Sequence, residues 1–217
     1  ADRILVSTSC AALLETLELT RHAALLETHG SLMLPPFFLK GISEAGVIAA
    51  YAQVLDGVAD LSPRMYLYHI PQISGVGLTP HVIRTLKDRY PQSIVGVKDS
   101  GCDTAFSLSL ADAFMPGLTI YVGNEPDLPA MGRRGSTGAV SGLANFMPRG
   151  VHRLVLSPDA PETPAERERV LALLSVLTRY PLLPAIKGMM SILSGDRAWL
   201  RVRPPLVALT DAEYAEL

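Results

Sequence analysis

The feature that most constrains this chain is an alternation. Short, nearly continuous apolar runs are each followed by a longer amphipathic stretch, six times between the start and about residue 155. The runs fall at residues 3–6, 31–34, 65–70, 94–97, 118–122 and 137–141. Apolar runs without polar alternation are what strands of a parallel sheet need when both faces are covered. The stretches between them, at residues 11–27, 43–58, 79–90, 103–114, 127–134 and 148–156, carry apolar residues at helical spacing. Ser43 two residues after Gly41 predicts an N-cap, and Pro80 stands where the first helical position has no use for an N–H.

Strict βα alternation permits a doubly wound sheet or a (β/α)8 barrel. No GxGxxG follows the first run and no GxxxxGK[ST] occurs, so the nucleotide-binding form of the wound sheet lacks its motifs. After Pro158, Pro161 and Pro164 the pattern changes to helices at residues 165–180 and 184–194, then the segment 201–206. The expected organisation is thus a barrel portion over residues 1–156 and a helical extension over 157–217.

With 48% apolar residues in 217, the chain can bury the core of one globular domain. A net charge of −2 and a pI near 6.2 give no electrostatic reason to expect nucleic acid or an anionic membrane. The doublet Arg133-Arg134 precedes the sixth run and reads as a solvated face on the rim away from the expected site. No apolar run approaches the ~20 residues that span a bilayer. The chain begins Ala1-Asp2-Arg3, without an initiator Met, a basic leader or a hydrophobic segment. It reads as a cytoplasmic protein whose first residue is not its translational start. Cys10 and Cys102 lack metal-site spacing and read as reduced thiols without a role.

In a barrel of parallel strands, reactive residues project from the C-terminal strand ends. Lys98 ends the fourth run and shares a face with Gly96 and Ile94 by the period of two. Withdrawal from water favours a lysine's neutral amine, the form that attacks carbonyls. Gly96 is expected to leave space beside it. The alternative is a lysine already emerging into solvent. Tyr68 stands 30 residues earlier, also at a strand end. One βαβ unit is about 30 residues, so the two fall on neighbouring strands at one height. A phenol beside an amine can relay protons; the alternative is that Tyr66 and Tyr68 only pack against the sheet.

These residues carry a resemblance. The strand Tyr66-Leu67-Tyr68-His69-Ile70-Pro71 resembles the Y-N-[VI]-P segment of the dihydrodipicolinate synthase / N-acetylneuraminate lyase family. Val95-Gly96-Val97-Lys98-Asp99-Ser100-Gly101 resembles its G-[VIL]-K-[DEQ]-[STA]-[ST]-G signature. Tyr121-Val122-Gly123, Gly138-Ala139-Val140-Ser141, Ala144-Asn145 and the terminal VRPPL match further along. The resemblance implies an α/β TIM (β/α)8 barrel lacking its first two βα units, with a C-terminal helical extension. It implies an imine between Lys98 and a 2-oxo acid, with Tyr68 moving protons. It implies no metal and no dissociable cofactor, and a homo-oligomer (dimer or tetramer).

Three departures from the family pattern stand out. The first two units, with the G-[ST]-[ST]-G-E loop that holds the pyruvate carboxylate, have no counterpart, and Ser7-Thr8-Ser9 is on the wrong strand to replace them. Ile73 stands where the synthase branch has a carboxylate-gripping arginine. Phe37-Phe38 stands where it has a tyrosine pair. The last two point away from condensation with aspartate semialdehyde.

Around the rim, Gly123, Asn124, Glu125, Val140 and Ser141 are the expected substrate-binding residues. Asn124, Glu125 and Asp127 suit sugar hydroxyls, whereas Asp127 as a helix cap and Glu125 at a helix dipole are the structural alternatives. Val140 and Ser141 are expected on the pocket floor. His69 is expected to pack against a helix, and Asp99 to orient its loop. The expected activity is that of a class I aldolase or lyase, cleaving a 2-keto-3-deoxy sugar acid to pyruvate and an aldehyde. A synthase-type condensation, a keto-deoxy sugar acid dehydratase, and an inactive remnant with a binding or structural role are the alternatives.

Overall fold

The apolar runs become six strands in the computed structural model, which describes residues 3–217. Ala1 and Asp2, on which the reading of the N-terminus rests, lie outside the described residues. The strands are β1 (Leu5–Ser7), β2 (Gly30–Met33), β3 (Met65–His69), β4 (Ile94–Asp99), β5 (Thr119–Val122) and β6 (Gly138–Ala139). All five pairings are parallel and the spatial order is β1-β2-β3-β4-β5-β6. A doubly wound sheet reverses its strand order at a switch point. This one never does, so it is a stretch of barrel wall. Among the described residues the edge strands β1 and β6 each pair on one side only.

Helices α1 (Leu13–Leu25), α2 (Glu44–Gly57), α4 (Pro80–Arg89), α5 (Thr104–Phe114) and α6 (Leu128–Arg133) make the crossovers, and α7 (Pro148–Leu156) follows β6. The expected cap is present, Ser43 accepting the Gly46 N–H, and two further caps appear: Thr79 accepts the Val82 N–H and Asp103 the Phe106 N–H. A four-residue helix α3 (Pro71–Ser74) was not expected; Pro71 opens it, and Gly75 at φ +68° closes it. The core lies between strands and helices, where Met33, Leu67, Val97, Ile120 and Val122 meet Val54, Ile83, Leu110 and Leu128.

Each strand differs from its expected bounds by a residue or two, and two of the differences bear on the site. β4 runs on through Lys98 to Asp99, and β6 contracts to two residues. Val140 adds one more bond, N–H to the Val122 carbonyl, before the chain turns into a 3-10 helix at Leu143–Asn145. After residue 156 come α8 (Thr163–Leu177) and α9 (Leu182–Ser194), which meet at 116°. Pro164 lies inside the first turn of α8 and not before it, because a helix start tolerates proline. A last helix α10 (Asp211–Ala215) starts on a capping box between Thr210 and Glu213. The motif is a T-x-x-E signature of a helix start. No single helix among the described residues is long and apolar enough to cross a membrane. Arg133 and Arg134 pair with the exposed Asp159 and Asp112, as a solvated face would.

Inside the curve of the sheet, Tyr66 lies across two glycines. A Cβ on Gly30 would stand 2.8 Å from its ring, and one on Gly96 2.5 Å. The ring stacks on Tyr121 at 5.5 Å and on His29 at 5.6 Å, and its hydroxyl meets His29 Nε2 at 2.8 Å. The space beside Gly96 is therefore filled by Tyr66, not left open for the amine. This aromatic layer is the support on which the next residues up the same faces, Tyr68 and Lys98, stand.

Candidate active site

Tyr68 and Lys98 face each other in register across β3 and β4. Lys98 Nζ donates to the Tyr68 hydroxyl at 2.9 Å and lies 4.2 Å from the ring centroid. Both are half-buried. Lys98 is thus neither emerging freely into solvent nor alone, and Tyr68 is not merely packing. An amine held against a phenol at two strand ends can add to a carbonyl and exchange protons with the neighbouring hydroxyl.

Gly123, at the end of β5, closes the third side. Its N–H donates to the Asp99 carbonyl at 2.7 Å. A side chain there would run into Ser100 Oγ and stand 3.3 Å from Lys98 Cε. Ser100 was not singled out from the sequence, although it lies in the lysine signature. Gln72, also missed, donates to the Ser100 carbonyl at 2.6 Å and ties the loop after β3 to the loop after β4.

Behind Lys98 the polar groups are committed to holding these loops. Asp99 is buried; Oδ1 accepts from the Gly101 N–H at 2.9 Å and Oδ2 from Ser107 Oγ at 2.5 Å. Both oxygens being occupied, it orients the loop and helix α5. His69 stacks on Phe106 of α5 at 4.4 Å, and its Nδ1 accepts the Leu78 N–H at 3.0 Å. Burial lowers His69 below its ordinary range, against the opposing pull of Asp99 and Asp103. Cys102, exposed and in the left-handed region at φ 58°, has its thiol pushed up by desolvation first and then by Asp127, Asp99 and Glu125, the direction that disfavours the thiolate.

Two rim expectations are corrected. Asp127 does not cap α6; its carboxylate takes Thr104 Oγ1 at 2.5 Å and Asn124 Nδ2 at 2.7 Å. That bond uses the Asn124 amide inside the loop and leaves its carbonyl oxygen as the group available to a ligand. Val140 is 36% exposed at the rim and forms no floor, because β6 ends before it. Glu125, by contrast, is buried, and the Ser141 hydroxyl donates to its Oε1 at 2.5 Å. Ser7-Thr8-Ser9 is spent on structure, with Thr8 accepting from Thr20 and Ser9 accepting the Leu34 N–H. Phe38 and Ile73 stand 74% and 73% exposed at the same end. Lys40 bridges their loops, donating to the Phe37 and Ser74 carbonyls at 2.5 and 2.7 Å.

The family model described as the dihydrodipicolinate synthetase family matches residues 3–217. The chain belongs to that family. An uncharacterized DapA-like lyase of Chloroflexus aurantiacus is 30% identical over 216 residues, 99% of this chain and 71% of that protein. The crystal structure of dihydrodipicolinate synthase from Agrobacterium tumefaciens superposes with a TM-score of 0.86 at 28% identity, over 98% of this chain and 70% of the other. That of YagE from Escherichia coli K12, in complex with pyruvate, gives 0.87 at 26% identity, over 99% and 72%. In sequence YagE is 32% identical over 149 residues, 67% of this chain and 48% of YagE, and bears the provisional name 2-dehydro-3-deoxy-D-gluconate aldolase.

Proposed function

We propose that the chain acts as a class I aldolase, releasing pyruvate and an aldehyde from a 2-keto-3-deoxy sugar acid through an imine on Lys98. The 2.9 Å contact between Lys98 Nζ and the Tyr68 hydroxyl carries this reading. The amine adds to the 2-oxo carbon, Tyr68 hands a proton to the departing oxygen, and water leaves as the iminium forms. With Tyr68 accepting the C4 hydroxyl proton, the C3–C4 bond breaks, its electrons pass to the iminium, and the aldehyde departs. Protonation of the resulting enamine at C3 and hydrolysis free pyruvate and Lys98. The iminium takes up the charge, so no metal or dissociable cofactor enters the scheme.

The polyhydroxylated substrate is favoured by Glu125 and Ser141, a buried carboxylate and a hydroxyl suited to sugar hydroxyls. YagE, by its name and its pyruvate complex, supports the same class. The synthase reading is weakened by Ile73, which offers no charge to a second carboxylate. In this reading the six units correspond to the family's third through eighth, residues 157–217 form an appended helical region, and the protein works as a cytoplasmic homo-oligomer.

Borohydride reduction in the presence of pyruvate tests the scheme. The expected result is a mass adduct on Lys98 that disappears in Lys98→Ala. An unmodified wild-type chain would leave the binding or structural remnant as the better reading. Product analysis with a 2-keto-3-deoxy sugar acid separates the aldolase from the dehydratase, since only the former yields pyruvate.

A further inference from the structure

Tyr51 lies on α2 with no solvent exposure, packed in the core shared by Val47, Val54 and Leu55. Packing accounts for its ring but not for its hydroxyl, because a buried polar atom is tolerated only with partners. It has one: the hydroxyl donates to the Met33 carbonyl at 2.8 Å. Met33 is the last residue of β2 and pairs in register with Leu67, the neighbour of Tyr68. Beyond it β2 cannot continue as a ladder: the Leu34 N–H is taken by Ser9 Oγ at 2.7 Å, and Pro35 and Pro36 carry no N–H. The hydroxyl therefore sits where β2 stops, on the residue whose partner in register, Leu67, precedes the tyrosine facing Lys98.

We propose that Tyr51 is a positioning residue for the Lys98–Tyr68 pair, its buried hydroxyl fixing the end of β2 against which β3 is registered and so setting where the Tyr68 phenol meets Lys98 Nζ. This rests on the reading of those two residues as the reacting pair. Burial drives the Tyr51 phenol well above its ordinary range. That direction favours the protonated phenol, the form that donates to Met33. An error of about 1 Å in the placement of a reacting group can cost on the order of 100-fold in rate. A hydroxyl that touches neither member of the pair can therefore act on turnover through the register of the strands between them.

The test is Tyr51→Phe in the full chain, which keeps the ring volume, read by the rate of borohydride-trapped pyruvate on Lys98 and by kcat and KM for cleavage. The expected result is a fall of about tenfold or more in trapping rate and kcat, with KM within about twofold. Val54→Ala, a cavity on the same helix without a polar partner, is the control for lost stability. It should lower the melting temperature and leave the trapping rate unchanged. Ser9→Ala frees the same end of β2 from the other side, and should slow trapping in the same direction if Tyr51→Phe does not fold. Wild-type trapping rates in Tyr51→Phe, or in Ser9→Ala when it alone folds, overturn the proposal. So does an equal slowing in Val54→Ala at matched loss of melting temperature. A wild-type chain that traps no pyruvate removes this inference together with the function it rests on, whereas normal trapping in both wild type and Tyr51→Phe removes this inference alone.

Discussion

The Ser141 hydroxyl donates to Glu125 Oε1 at 2.5 Å, so a serine just past β6 holds a buried carboxylate just past β5. The Leu143 N–H donates to the same serine oxygen at 3.1 Å, which fixes the serine in turn. Glu125 keeps Oε2 free of any such partner among the described residues, and that oxygen is the one available to a substrate hydroxyl. Glu125→Gln is expected to leave the trapping of pyruvate on Lys98 unchanged. It should lower kcat/KM for a 2-keto-3-deoxy sugar acid by about 10- to 100-fold, the size of one charge-assisted hydrogen bond. Ser141→Ala should follow in the same direction with a smaller loss. Parallel assays on both substrates check this, and equal losses on both would show that Glu125 supports the fold and not the substrate.

Tyr68→Phe removes the proton carrier and keeps the ring beside Lys98. Turnover should fall by about 100- to 10,000-fold, the usual range for a positioned acid–base group. Lys98 should still be reducible onto pyruvate over long incubation. Single-turnover trapping followed by mass spectrometry separates the slow step from a lost nucleophile.

His69 gives the fold a pH dependence. Its folded form is held below the ordinary imidazole range by burial, so the neutral ring is the stable one. This stability is complete above the unfolded value of about 6.5, and is lost as pH falls through that value towards the lower folded one. Protonation would also end the bond that Nδ1 accepts from the Leu78 N–H. Melting temperatures from pH 8 down to 5 should therefore fall more steeply in the wild type than in His69→Phe. The variant should be less stable at pH 8, by about 1–3 kcal/mol, for the stranded Leu78 N–H.

Gly96→Ala should destabilise the fold by at least about 1–3 kcal/mol, the common cost of overfilling a packed core. The new Cβ would meet both the Tyr66 ring and the Thr119 carbonyl at 2.5 Å, and the second is backbone that cannot swing away. Combining it with Tyr66→Leu should recover part of the loss. A denaturant double-mutant cycle measures the coupling, which strict additivity would rule out.

Periodicity carried most of the fold into the sequence, because strands covered on both faces and helices covered on one leave different spacings of apolar residues. Lys98 and Tyr68 were legible for the same reason: one βα repeat separates them, and the repeat returns the chain to the same height. What escaped was whatever depends on partners distant in sequence. The ring of Tyr66 over Gly96, the hydroxyl of Tyr51 at the end of β2, and the use of Asp127 by Asn124 and Thr104 are all contacts between elements. Spacing along one strand or helix cannot report them. The short β6 escaped differently, since Val140 and Ser141 look like strand residues until the serine hydroxyl is drawn to Glu125.

Lys40 spends its ammonium on two carbonyls, those of Phe37 and Ser74, belonging to the loops after β2 and β3. The exposed Phe38 and Ile73 thereby ride on one tether. Neither loop can then be moved alone without breaking a charge-assisted hydrogen bond to the other, so the two side chains are mechanically one adjustment.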